Sequence, residues 1–484
     1  MKEVLVVIII FITVLFSEAQ WVQLGQDIDG DISYRSLGAS VCISGDGAVV
    51  ATGAPGYSEN EPYGLVRVFT NQSGNWVQIG NDIIGEYEYD RFGTSISISS
   101  DGNIIAIGAP FNNENGENSG SVRVYQNQSN NWIQIGGDID GDTIGDKFGN
   151  SISMSSDGSI IAIGAYANDE SFNGAGQVKI FANQSGNWVQ IGSDICGVEE
   201  GEVLGTSLSL SSDGSIVAIG VPGYDGDSLN IGCTRIFRYE LSNWAQIGDD
   251  IKGEFEDDWF GTGVSLNSDG TVLAVSTPYS YVSTGYVKVY NNELGVWTQI
   301  GNKISGQIAR GGFGYSISID STGRTLVVGS TSCFDGFCDV GYVNVYNNIS
   351  NTWLLVNDTI NREYSNDNFG VVDINSDGSI VIVGASGNDE NGYSSGHARV
   401  FKNSSVSVPV LEKSEACNLY PNPTTGKVTI QSDNIQKVEV YNISGKLIKS
   451  TTSNVINIDE QAKGVYFVKL IGESGVSTQK IILE

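Results

Sequence analysis

Between Thr94 and Ile135 the hydrophobic pattern changes character four times, and each change predicts a strand. Thr94 to Ser99 alternates polar and apolar residues, as a half-buried strand does. Asp101-Gly102 then predicts a tight turn, since glycine takes a positive φ without steric cost. Asn103 to Ala109 is a nearly unbroken apolar run, the pattern of a strand covered on both faces. Val122 to Tyr125 alternates again, and Asn127 to Asn131 turns the chain into a fourth strand, Trp132-Ile133-Gln134-Ile135. Helical periodicity is absent, so the segment reads as all-β.

The same unit recurs. Trp21, Trp76, Trp132, Trp188, Trp244, Trp297 and Trp353 are spaced by 55, 56, 56, 56, 53 and 56 residues. A Phe/Leu-Gly pair recurs in step at Gly38, Gly93, Gly149, Gly205, Gly261, Gly314 and Gly370. A Ser-Asp-Gly turn or close variant ends at Gly47, Gly102, Gly158, Gly214, Gly270, Gly323 and Gly378. Four short strands at this period predict β-propeller blades, seven of them. The seventh copy stops at Phe401 without its Trp strand, while the chain carries a spare one, Trp21–Leu24, ahead of the first Leu-Gly. The expected architecture is a seven-bladed β-propeller closed by its N-terminal strand, which removes an aggregation-prone edge.

Across residues 21–401, Phe-Gly, then Gly-Ala-Pro (Gly53-Ala54-Pro55, Gly108-Ala109-Pro110), then Gly-x-Val-x-Val-Tyr/Phe resembles the FG-GAP repeats of integrin-α-like propellers. The resemblance loosens at Gly164-Ala165-Tyr166, Ser276-Thr277-Pro278 and Gly384-Ala385-Ser386. In integrins calcium sits in acidic loops between the first and second strands of certain blades. Here those connections are tight Asp-Gly turns, so the family's calcium sites do not carry over.

After residue 404 the repeat ends. Residues 405–416 read as a linker, and 417–484 as a small β-sandwich of short strands. Leu419-Tyr420-Pro421-Asn422-Pro423 with Gly426, Val440 to Lys446, Gly464 to Leu470 and Lys480-Ile481-Ile482 resemble the type IX secretion sorting domain of Bacteroidetes. Pro421, Asn422, Pro423 and Gly464 carry the motif. The resemblance implies recognition by the type IX machinery, export through the outer membrane, removal of the tail and, usually, attachment to surface lipopolysaccharide.

The start agrees with export. Residues 1–19 form a charged start, an apolar run from Val4 to Phe16 and small residues, which predicts a secretory signal cleaved between Ala19 and Gln20. No later stretch is long and apolar enough to span a membrane, so the mature chain is expected to be secreted or displayed at the surface. Formal charge is −31, and residues 20–416 carry all of it, with 17 basic and 48 acidic side chains. Such a body repels nucleic acid and attracts cations or basic partners. Of the six cysteines, Cys333 and Cys338 could close a small loop, and pairing among Cys42, Cys196, Cys233 and Cys417 stays open.

Chemistry is sparse. The one histidine, His397, reads as a packing or surface residue, and without a second histidine the common triads and most zinc sites are gone. No catalytic residue is expected, and no enzyme. Topology places the 2–3 loops and the blade crossings on one side of a propeller, where acidic crossings (Glu86–Asp90, Asp138–Asp142, Glu199–Glu202, Glu254–Asp258) meet loops carrying aromatics. Tyr57, Phe172, Tyr224, Tyr281, Phe337 and Tyr393 are the candidate ligand contacts, since rings beside carboxylates suit sugars or a basic protein patch. Asp225, Asp227 and Asp389 are candidate oxygen ligands for a hard cation such as Ca2+, the one cofactor considered. The expected function is a surface or released binding propeller for a glycan or protein. A structural surface-layer component and a carbohydrate-active enzyme on a propeller scaffold are the alternatives.

Overall fold

The computed structural model describes residues 21–56, 63–226, 228–278, 284–308, 311–331, 341–356, 358–404, 418–431, 435–442, 447–472 and 475–483. Contacts divide the chain into two compact units, Met1–Ser405 and Val406–Glu484.

Among its described residues the first unit forms seven antiparallel sheets of five strands each. The second sheet is typical: Ser95–Ile98, Ile104–Ala109, Ser121–Asn127, Trp132–Gln134 and Ile139–Asp140. The expected fourth strand is present as Trp132–Gln134, and Ile139–Asp140, expected to belong to a blade crossing, adds a fifth. Gly136, at φ 79°, kinks the chain outward, and Ile139 then returns to pair with Val122. The continuous apolar strand is buried over five of its six residues, because the neighbouring sheets cover both its faces.

Adjacent sheets are joined at three radii. Nearest the axis, the backbone N–H groups of Gly45, Ser100, Ser156, Ser212, Ser268, Ser321 and Ser376 each donate to the carbonyl of the next. Ser376 returns to Gly45, so the circuit closes at 2.8–3.2 Å per bond. At mid-radius a Cβ on Gly108 would overlap the carbonyl of Gly149, so two glycine backbones touch between sheets. Equivalent pairs stand at Gly53 and Gly93, Gly164 and Gly205, Gly220 and Gly261, Gly329 and Gly370, and Gly384 and Gly38. The Phe-Gly and Gly-Ala-Pro landmarks are therefore the two halves of one packing contact.

At the rim six of the seven repeat Trp indoles donate to the preceding sheet, among them Trp76 to Leu24 (2.7 Å), Trp132 to Ile79 (3.0 Å), Trp188 to Ile135 (2.9 Å) and Trp244 to Ile191 (2.9 Å). Trp297 and Trp353 do likewise at 3.2 Å. The seventh sheet is completed by the N-terminal segment, with Trp21 opposite Asn403 and Gln23 opposite Phe401. There the Trp21 indole N–H is buried and has no hydrogen-bond partner among the described residues.

The second unit packs a three-stranded sheet (Asn418–Tyr420, Lys427–Gln431, Val455–Asn457) and a four-stranded one (Leu447–Thr451, Ile435–Asn442, Gly464–Gly472, Gly475–Leu483). Val428, Ile430 and Ile456 of the first sheet share a core with Val438, Val468 and Ile481 of the second, a sandwich. Asn418–Tyr420 adds a strand not anticipated from the sequence. The motif residue Asn422 accepts the Ile482 N–H through its side-chain oxygen (3.0 Å), which fastens the start of the unit to its last strand. Gly464 opens the strand that pairs with Leu483.

Candidate functional site

The third residue of each third strand sits beneath a crossing, and in six sheets it is a cation. Arg67 contacts Asp31 and Asp82, each at 3.0 Å. Arg123 contacts Glu86 (3.0 Å) and Asp138 (2.8 Å). Lys179 contacts Asp142 and Asp194, and Arg235 grips Glu202 with two bonds (2.6 and 3.1 Å) and Asp250 at 3.2 Å. Lys288 meets Glu254 at 2.7 Å, and Arg399 meets Glu363 at 3.2 Å. The sixth sheet has Asn344 there.

A second acid, two residues before Phe/Leu-Gly, is buried in five crossings: Asp90, Asp146, Glu202, Asp258 and Asp367. Asp258 accepts the N–H groups of Glu254 and Phe255, Glu202 that of Val198, Asp146 that of Thr143 and Asp367 that of Tyr364. Much of the acidity expected to form an open recognition face is therefore bound into clamps and turns. The signal for this was available, because the acid recurs at a fixed offset from Phe/Leu-Gly.

The 2–3 loops of the second, third, fourth and seventh sheets share one template. The side-chain oxygen of Asn113, Asp169, Asp225 or Asp389 accepts the N–H five residues on, at 2.6–2.9 Å. Asp225 and Asp389 thus each close their own loop with one oxygen. Among the described residues, no group of three His, Cys, Asp or Glu ligands includes either; two such groups form elsewhere, Asp27, Glu363, Glu390 and His397, and Glu114, Asp138 and Asp140.

The predicted aromatics part company. Phe172 is half-exposed on its loop. Tyr224 is half-buried against the core, with Lys252 and Arg235 over its ring at 5.1 and 5.6 Å. Tyr393 is 63% exposed and lies beside Tyr34, 45% exposed, with ring centroids 5.2 Å apart and planes at 52°. The Tyr34 N–H donates to the Tyr393 carbonyl (2.7 Å), which fixes the pair across a crossing and a 2–3 loop. Tyr34 was not anticipated, and nothing local in the sequence marks it. Tyr57, Tyr281, Phe337 and Asp227 lie outside the described residues, as do Ala19, Gln20, Cys333, Cys338 and Cys417. Cys42, Cys196 and Cys233 are free thiols.

His397 opens the third strand of the seventh sheet and is 0% exposed. Its Nδ1 lies 3.9 Å from Asp27 and 4.0 Å from Asp29, and among the described residues neither ring nitrogen has a hydrogen-bond partner. Burial pushes the imidazole down to about 4, so it is neutral at pH 7. Burial, followed by the charges of Asp27, Glu390 and Glu363, pushes Asp29 up to about 6.

The first strands surround an axial cavity of about 330 Å3 lined mainly by serines and aliphatic residues. Asp373 and Cys42 are its titratable groups. Asp373 accepts the Ser318 hydroxyl (2.8 Å) and the N–H groups of Ile43 (3.0 Å) and Ile374 (2.9 Å), yet burial pushes it up to about 6. Burial, with Asp373 beside it, raises the Cys42 thiol well above its ordinary range, which makes it a poor nucleophile.

Comparison with known proteins bears on both units. Residues 86–125 match the FG-GAP repeat, and residues 418–484 match the secretion system C-terminal sorting domain. No curated protein matches the chain. Two similar solved structures bear the name of a 6-phosphogluconolactonase. The one from Bacteroides uniformis is 14% identical, covers 68% of this chain and 86% of its own, and has a TM-score of 0.46. The one from Bacteroides fragilis is 15% identical, with coverages of 68% and 85% and a TM-score of 0.45. Hydrazine synthase of Kuenenia stuttgartiensis, 10% identical, covers 81% of this chain and 96% of its own at a TM-score of 0.41. These likenesses carry no argument about activity. No helix among the described residues is long and apolar enough to cross a membrane. The chain thus joins an FG-GAP repeat unit of β-propeller-like sheets to a type IX secretion sorting domain, which directs it to the cell surface or the extracellular space.

Proposed function

We propose that the exported protein is a non-catalytic binding propeller, and that the side bearing the 2–3 loops and crossings takes a glycan or a protein ligand. The observation that carries this reading is the Tyr34–Tyr393 pair. Two solvent-facing rings are held together by a backbone bond, on a side whose other crossings also expose rings such as Tyr87, Tyr89, Phe255 and Tyr364. Sugars stack their C–H faces on such rings, and nearby carboxylates accept hydroxyl hydrogens. A protein ligand would use the same rings as anchors. The exported protein on a glycan array is expected to retain a saturable ligand. Tyr393→Ala should then weaken that ligand at least roughly tenfold, about 1.4 kcal/mol, with an unchanged melting temperature. Binding that survives both Tyr34→Ala and Tyr393→Ala overturns the assignment to this pair.

A further inference from the structure

At the first residue of its third strand the seventh sheet carries the protein's one histidine. In the third and fifth sheets that first residue is matched to the acids around it. Gln177 donates to Glu170 (2.8 Å) and Asp194 (3.2 Å), and Tyr286 donates to Asp258 (2.6 Å). In the seventh it is His397, fully buried, with two ring nitrogens and, among the described residues, no hydrogen-bond partner for either. A buried imidazole left this way forfeits hydrogen bonds that water supplied in the unfolded chain.

The groups that face it are carboxylates from three other segments. Asp27 comes from the N-terminal segment, Glu363 from the crossing and Glu390 from the 2–3 loop. One ligand atom of each, together with a His397 nitrogen, lies within 4.8 Å of the others. The 3.9 Å between Nδ1 and Asp27 is too long for a hydrogen bond. It is close to the separation of two ligands that share one ion, since bonds of about 2.0–2.2 Å at tetrahedral or octahedral angles leave ligand atoms roughly 3–3.5 Å apart. Small side-chain rotations would bring all four atoms to that distance. Arg399 stands beside the group, 3.2 Å from Glu363 and 4.0 Å from Asp27. Its one positive charge faces Asp27, Glu363, Glu390 and the adjoining Asp29, so negative charge remains in excess.

We propose that Asp27, Glu363, Glu390 and His397 form a binding site for one divalent transition-metal ion, Zn2+ foremost, at the closing sheet of the propeller. The donor set decides the class of ion. One imidazole nitrogen with three carboxylates suits Zn2+ or a neighbouring first-row ion, whereas Ca2+ and Mg2+ favour oxygen throughout. The site would link the N-terminal segment to the strand it completes, so the bound ion would also reinforce ring closure. Glu390 shares its 2–3 loop with Tyr393, but the site uses different side chains from the Tyr34–Tyr393 pair, so Zn2+ binding and ligand binding are read by separate substitutions.

The test is titration of the metal-stripped exported protein with Zn2+, Mn2+, Ca2+ and Mg2+, read by calorimetry and by thermal unfolding. Zn2+ should bind one per chain and raise the melting temperature, with Ca2+ and Mg2+ giving smaller shifts at equal concentration. Glu390 and Glu363 are exposed carboxylates, but Glu363 also pairs with the buried Arg399, so each variant's thermal shift is read against its own metal-free form. Glu390→Gln and Glu363→Gln should each weaken Zn2+ roughly tenfold or more and shrink the thermal shift. His397→Gln should abolish both, and Co2+ in the intact protein should show the visible absorption of nitrogen-containing coordination. Absence of one-per-chain Zn2+ binding overturns the proposal, and so does Zn2+ binding that survives Glu390→Gln together with Glu363→Gln.

Discussion

Asp373 shows how one side chain sets a pH response for the whole ring. It satisfies the Ile43 N–H from the neighbouring sheet and the Ser318 hydroxyl on the other side, but ionising it inside the channel is unfavourable. Its folded value of about 6 lies above its ordinary 3.8. The folded state therefore binds a proton that the unfolded chain has released. The associated stability is full below about 3.8 and is lost as pH rises through about 6. Asp373→Asn has no such term. Relative to the natural protein, the variant should gain of order 2 kcal/mol between pH 4 and pH 7, allowing for water that reaches the channel. Carboxylates held low, such as Asp101, Asp157 and Asp213, act in the opposite direction but cancel in the comparison. Denaturant melts of both proteins across that range check it, and parallel curves would sink it.

The strand and the contact between strands are the next scale. Each rim Trp fills space between sheets and, in six cases, also satisfies a carbonyl of its neighbour. Trp21 and Trp244 are both 8% exposed, but only Trp244 donates, to Ile191 at 2.9 Å. Trp244→Phe therefore removes indole bulk and strands a carbonyl, and should cost about 1–2 kcal/mol more than Trp21→Phe, which removes a buried N–H that already lacks a partner. Equal losses in urea denaturation would show that the indole bond contributes little. This scale also separates what could be read in the sequence from what could not. The Trp period, the Asp-Gly turns and the apolar second strands are local patterns, so they were legible along the chain. The clamps were not, because Arg123 meets Glu86 and Arg235 meets Glu202 only after two sheets come together. His397 looked solitary for the same reason. Its neighbour Asp27 stands some 370 residues away and arrives through the closing of the ring. The short fifth strand, Ile139–Asp140, was hidden in an acidic stretch that reads as a blade crossing, because its pairing with Ser121–Val122 follows a turn at Gly136.

At the scale of the whole molecule, the propeller is a circuit interrupted covalently at one point. Trp21–Gln23 pairs with Phe401–Asn403, and Ile28–Asp29 pairs with His397–Ala398, so the seventh sheet depends on residues from both ends of the repeat region. Deleting residues 20–26 exposes the strand ending at Asn403 and the apolar space that Trp21 fills between the sixth and seventh sheets. The loss of a packed Trp alone is worth about 3–5 kcal/mol, and an unpaired strand edge adds a liability to aggregation. That variant should melt well below the intact propeller. Deletion by itself leaves open whether the strand acts as structure or as the natural start of folding, and a circular permutant separates the two. In the second sheet a four-residue turn, Gln128–Asn131, joins the third strand to its Trp strand. The same turn placed between Asn403 and Trp21, with new ends opened in the crossing near Gly30, restores every strand pairing while moving the break. Full recovery of the melting temperature in the permutant, beside a large loss in the deletion, is the expected result. It would show that the closing strand acts through the pairs and the packing it makes. A permutant that melts as low as the deletion would instead mean that closure depends on the chain's own order, and the structural account of the ring would have to be abandoned.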